Sequence, residues 1–148
     1  MTQRYLAVLL SLLSGFFIAV MVILNASLGR HIGILESSFV VHLVGTIVGM
    51  ILLVFFMPKN LLSQIGTAPK YLFGGGVLGV LIVLIANAVV PKLGMVLTLG
   101  LFLTGQLLFA VIADHFGLFH LPVYKVSWRR AWGLISAFAG LLLLLSIQ

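Results

Sequence analysis

Residues 93–113 read LGMVLTLGLFLTGQLLFAVIA, an unbroken run without lysine, arginine, aspartate or glutamate. A helix needs roughly 20 apolar residues to cross the hydrocarbon core of a bilayer, so this stretch has the length of one span. Working outward from it, four more uncharged runs of similar size appear: Tyr5–Leu24, Ser37–Met57, Tyr71–Val90 and Ala131–Ile147. The composition agrees, with 63% hydrophobic and only 7% charged residues, too few charges to cover a water-facing surface. The expected fold class is an all-α membrane protein with five transmembrane helices, forming a single domain over residues 1–148. Pro58, Pro69, Pro91 and Pro122 fall between the runs and are expected to punctuate loops.

The first run exceeds the roughly 7–15 apolar residues of a cleavable signal peptide and is read as a span. No cysteine is present, which excludes disulfides and thiolate chemistry. The net charge of +6 comes from basic residues scattered over short loops. The bilayer, and not nucleic acid, is the partner they fit. No cofactor or metal is called for: His31, His42, His115 and His120 lie on different segments. Gly74-Gly75-Gly76 follows no strand, so it reads as close helix packing and not as a phosphate loop.

Five spans put the N-terminus and the second and fourth loops on one side, with Arg4, Lys59, Lys70, Lys125, Arg129 and Arg130. Arg30 and Lys92 fall on the other. Excess Lys and Arg marks the cytoplasmic face, so the expected topology is N-terminus in and C-terminus out, in a bacterial inner membrane. Tyr5, Tyr71, Trp128 and Trp132 lie at run edges, where amphipathic rings favour the interface. Only Pro91 and Lys92 separate the third and fourth runs, which predicts a tight antiparallel hairpin, whereas Asp114–Arg130 has room for a short interfacial segment.

Small residues recur at helical spacing: Gly15 and Ala19, Gly45 and Gly49, Gly75 and Gly79, Ser136 and Gly140. Such pairs let helix backbones approach closely in lipid. Most of these pairs read as packing, and Ser136 with Gly140 as a candidate subunit contact.

Polar residues within the runs carry the functional signal, because an unpaired polar group costs several kcal/mol in hydrocarbon. His42 is the least expected of them. Ser38, Gly45, Thr46 and Gly49 share its side of the helix and make a small, polar stripe. An intramembrane ionisable residue marks a functional site by default, and histidine changes charge near neutral pH; a structural hydrogen bond to a neighbouring helix is the other reading. Asn25, Glu36, His42, Asn87 and Thr98 all gather toward the outer face. Gln106 lies about 10 Å inside the cytoplasmic end and His42 about 8 Å from the outer one. In two copies of opposite orientation they would be level.

The segments Asn25-Ala26-Ser27-Leu28-Gly29, Ser38-Phe39, Gly45-Thr46, Pro91-Lys92-Leu93-Gly94, Gly105-Gln106 and Asp114-His115-Phe116-Gly117-Leu118, with Arg130, Gly133 and Gly140, resemble the YdcZ-like family of the drug/metabolite transporter superfamily. The resemblance runs through nearly the whole chain. It implies half of a ten-helix metabolite exporter, with two halves working in opposite orientation and four helices of each around a substrate path. The partner would be a second copy, in an antiparallel homodimer, or an oppositely oriented paralogue, and the fifth helix would serve association. Transporters built from inverted repeats place their sites near the midplane at the repeat interface.

The first run lacks the membrane glutamate of the smaller four-helix multidrug members, so cation export is not expected. Glu36, at a helix edge, serves either the outer mouth or the N-terminus of the second helix. Asn25, with Ser11, Ser14, Gly15 and Val22 on its side, either lines a polar pathway or satisfies loop backbone groups at a helix end. Gln106 follows Thr98 and Phe102 on one stripe, which suits a neutral or amphiphilic metabolite; an interhelical hydrogen bond is the structural alternative. The candidate pathway residues are therefore His42, Gln106, Thr98, Asn25, Glu36 and Asn87. Asp114-His115 could suggest a catalytic pair, but adjacent residues rarely face each other and no nucleophile motif accompanies them. Asp114 is instead expected to pair with Arg129 or Arg130. A secondary transporter of small metabolites is the leading reading; an accessory subunit of a membrane complex comes second and a membrane enzyme last.

Overall fold

The computed structural model describes residues 2–58 and 60–147; Met1, Gln148 and Lys59, the last used in the charge count, lie outside them. Among the described residues there is no strand, and the protein is an all-α membrane protein. Five helices have the length and apolar character of membrane spans: Gln3–Ile32, Ile34–Phe56, Lys70–Leu93, Met95–Phe116 and Trp128–Ser146. No more than 17% of any span's most apolar window is buried inside the chain. Nearly all of the apolar surface is thus left for lipid or protein neighbours.

The chain divides into two compact units, one ending at Lys92 and one beginning at Leu93. In the first unit, α1 (Thr2–Ile32) and α2 (Ile34–Phe56) form a helical hairpin closed at Gly33. Helix α1 outruns its uncharged run by two turns because residues 25–32 contain no proline to stop it. At about 1.5 Å per residue α1 is some 46 Å long, more than the ~30 Å hydrocarbon core. Arg4 and Arg30, about 39 Å apart along its axis, can therefore both reach headgroups. Gly33 has φ 104° and ψ 154°, a region essentially confined to glycine. Its carbonyl accepts from Ser37 N–H at 3.0 Å and its own N–H donates to the Gly29 carbonyl at 3.0 Å.

Helix α3 (Leu61–Thr67) is a short surface helix that the run pattern did not distinguish, and a 3-10 turn, Lys70–Phe73, leads into α4 (Gly74–Leu93). The placement of Pro91 between runs is corrected here: it lies inside the last turns of α4. Its missing N–H costs only the bond to the Asn87 carbonyl so near the helix end. The break falls instead at Gly94, with φ 75°.

In the second unit, α5 (Met95–Phe116) and α6 (Trp128–Ser146) pack antiparallel. A Cβ at Gly100 would lie 3.3 Å from Leu144 and 3.7 Å from Leu141. At the other end Arg130 meets Asp114 at 2.9 Å. Between them a 3-10 turn, Leu118–His120, precedes an extended segment that folds back on α5, with Tyr124 N–H donating to the Asp114 carbonyl at 2.8 Å. Helix α6 is the least apolar span, with a mean hydropathy of 1.3 against 2.2–2.8 for the others.

The glycine pairs read as packing find little of it within the chain. Around Gly15, Gly45, Gly49 and Gly75 there is open space, and Gly79 has only the His42 ring near it. Among the glycines inside helices, the close approaches are at Gly29, against Ser37 and Asn87, and at Gly100.

Candidate functional site

The hairpin at Gly33 brings α1 and α2 together with opposite directions, so residues equally far from the turn share a level. Met21 and Asn25 of α1 face Val41, His42, Gly45 and Thr46 of α2, and Val83 of α4 completes an open cleft of about 380 Å3. Three of these seven side chains are polar. Asn25 is 5% exposed and lies well inside α1, so its assignment to a helix end beside a loop is corrected: no loop is there for it to serve.

His42 is held by its own helix. Its Nδ1 is 2.7 Å from the Ser38 carbonyl oxygen. A carbonyl only accepts, so Nδ1 carries a hydrogen and donates it. In the neutral imidazole Nε2 is then an open acceptor. A Cβ at Gly79 would stand 3.8 Å from that nitrogen, and the glycine leaves the space free. Thr46 donates its hydroxyl hydrogen to the His42 carbonyl at 2.8 Å, which leaves its oxygen able to accept.

Toward the Gly33 end the same three helices meet in a buried polar knot. Asn87 Nδ2 donates to Ser37 Oγ at 2.7 Å, and Ser37 Oγ donates to the Ile34 carbonyl at 3.0 Å. With its hydrogen committed, Ser37 can only accept from Asn87, which fixes the amide's orientation. Asn87 Oδ1 is left buried without a partner, as is Ser38 Oγ. Asn87 thus acts as a tie between α4 and α2. Glu36 folds its carboxylate back over Gly33 in the first turn of α2, where a Cβ on the glycine would overlap it. That position favours an acid at the helix N-terminus. Ser37 is a member of the knot that the polar pattern does not single out; its place among small residues in the first turn, opposite Gly29, is the available signal.

The second unit does not present Thr98, Phe102 and Gln106 as one lining, which corrects the stripe expected from their spacing. Thr98 is fully buried and donates to the Gly94 carbonyl at 2.7 Å. Gln106 is exposed, at the middle of α5. Thr104 is buried and donates to the Gly100 carbonyl at 2.8 Å. In α1, Ser11 and Ser14 are exposed and bonded to their own helix, at Ala7 and Leu10, so they do not join Asn25.

A second pocket, about 330 Å3, lies between α5 and α6 and is lined by Leu107, Ala110, Val111, Asp114, Arg130, Gly133 and Leu134. Arg130 is also 5.4 Å from the Tyr124 ring centroid. His115 turns the other way and accepts from Val126 N–H at 3.4 Å, so Asp114 and His115 are not arranged as a dyad. Ser136 Oγ donates to the Trp132 carbonyl at 2.9 Å, and Gly140 faces open space.

A family model described as "Putative inner membrane exporter, YdcZ" matches residues 6–143. A search of curated proteins and a search of solved structures each find no match. The match reaches into all five spans and takes in the cleft and the knot, and the chain belongs to the YdcZ family of inner-membrane exporters.

Proposed function

We propose that this exporter is a secondary carrier of small amphiphilic metabolites that works as an antiparallel pair, with the α1–α2–α4 cleft as its substrate-binding half-site. The cleft is the observation that carries the reading: an amide and an imidazole open onto apolar walls within spans whose exposed surface is mostly hydrocarbon. Polar groups at membrane depth persist where they meet protein or water. Gln106 supports pairing, since a bare amide in mid-span needs a covering surface. The open backbone at Gly45 and Gly49 beside the cleft, and at Gly140 with Ser136 on α6, supplies faces for close helix approach. Six cations against two favour N-terminus in for a single copy. The oppositely oriented partner is then either a minority population of this chain or a paralogue.

Because the chain has no cysteine, single cysteines report cleanly. Cysteines added beside each terminus, labelled with an impermeant thiol reagent in intact cells, test the pairing. Partial labelling of both is expected for a chain inserted both ways. Reaction of the C-terminal cysteine alone excludes the homodimer and leaves the paralogue or accessory-subunit readings. Thr46→Cys tests the path itself: it is expected to react with the impermeant reagent, and no reaction from either face of sealed vesicles is the result that rejects a carrier.

A further inference from the structure

We infer that the cleft takes an apolar monocarboxylic acid and binds it together with one proton held at His42. The inference rests on the carrier reading and names its substrate class.

The chemistry follows from what faces the imidazole. Around His42 stand Met21 and Asn25 from α1, Gly79 and Val83 from α4, and Val41, Gly45 and Thr46 from α2 itself. None of these carries a charge or titrates. The nearest acid along the chain, Glu36, is about 9 Å away along α2, with its carboxylate folded over Gly33. A cationic ligand would therefore find no counter-charge in the cleft and would compete with the proton for Nε2. A carboxyl group finds complementary partners. Its O–H donates to Nε2, whose lone pair is free because Nδ1–H is committed to the Ser38 carbonyl, and its C=O accepts from the Asn25 amide.

If the proton passes from the carboxyl oxygen to Nε2, the pair becomes carboxylate and imidazolium. The O–H bond breaks, an N–H bond forms, and the complex stays neutral with the same single proton. Met21, Val41 and Val83 offer the apolar remainder of the ligand a matching wall. A fixed arginine would hold the anion permanently, whereas the histidine releases it on losing its proton. The charge thus crosses the hydrocarbon compensated, which an isolated carboxylate could not do cheaply.

The probes are radiolabelled benzoate with benzamide and benzylammonium as competitors, which share one ring and differ in charge. Binding is measured on the purified full-length protein in detergent. Benzoate affinity is expected to fall as the pH rises, approaching about tenfold per pH unit, the slope of one proton taken up on binding. Benzamide should compete weakly and benzylammonium not at all. In His42→Gln, which keeps a polar group in place, residual benzoate binding should lose that slope; His31 remains and serves as the internal control. A flat pH profile in the unaltered protein, no benzoate binding, or preference for benzylammonium overturns the proposal. If Thr46→Cys reacts with the impermeant reagent while benzoate fails, the carrier stands and only the substrate class falls.

Discussion

Asn25 and His42 lie at nearly one depth, the first eight residues before Gly33 and the second nine residues after it, so the hairpin sets an amide and an imidazole side by side about 12–14 Å from the turn. Neither residue reaches the other's level by its place in the sequence alone. The uninterrupted course of α1 as far as Ile32, followed by a one-residue turn, carries Asn25 down into the membrane and makes the cleft.

The turn itself is the first point to test. Gly33 sits where other residues are strained by about 1–3 kcal/mol, and a Cβ there would also run into the Glu36 carboxylate. Gly33→Ala is expected to lower stability by at least that strain, while Gly15→Ala, made in open space on α1, should be neutral or slightly stabilising. Thermal unfolding of the two variants in one detergent checks the difference. Equal melting temperatures would mean that the hairpin closes in another way.

The Asn87 knot separates a lost bond from a lost oxygen. Asn87 gives Ser37 one hydrogen bond but also buries an unpartnered Oδ1. Leucine in its place removes both and keeps the branched skeleton of the side chain, so Asn87→Leu should change stability by less than about 1 kcal/mol. Asn87→Ala removes the same groups and leaves a cavity, and should cost about 2 kcal/mol or more. Equilibrium unfolding in mixed micelles distinguishes them, and a larger loss for leucine than for alanine would show that the amide does more than tie α4 to α2.

Composition and run length were enough to read the five spans, because the cost of charge in hydrocarbon leaves a strong one-dimensional record. Their ends were less legible. Asn25, Arg30 and Pro91 look like boundary residues, yet a helix longer than the bilayer core runs on past Asn25 and carries Arg30 to the headgroups, and proline near a helix end costs little. His42 and Asn25 stood out as polar residues in apolar surroundings, but their meeting depends on the backbone of Gly33, which no periodicity reports. The Thr98–Gln106 stripe failed because spacing of eight residues fixes a common side only roughly, and Thr98 turned its hydroxyl to its own backbone.

Orientation should respond to charge. Lys125, Arg129 and Arg130 cluster at the start of α6, and Arg130 is partly neutralised by Asp114 at 2.9 Å. The free cations Lys125 and Arg129 then carry more of the topological signal. Replacing both with glutamine reduces the bias from six against two to four against two, and should raise the fraction of chains whose N-terminus faces outward. Labelling of a cysteine beside the N-terminus measures that fraction. Asp114→Asn, which releases Arg130 without adding a cation, should move it the other way, while stability shifts by no more than about 1 kcal/mol for so exposed a pair.

Gln106 offers the sharpest test of pairing. Alone, its exposed amide at mid-span is a liability, and leucine at that position should leave the single subunit as stable or more so. In a pair, an amide bonded across subunits contributes roughly 0.6–2 kcal/mol, so Gln106→Leu should raise the dimer dissociation constant about 3- to 30-fold. Energy transfer between labelled subunits, followed as the protein is diluted with lipid, reads that constant directly. Gln106→Ala and His42→Ala should likewise remain folded while binding or transport changes. An unaltered dissociation constant in Gln106→Leu, with unaltered transport in both alanine variants, would remove Gln106 from the interface and His42 from the path together.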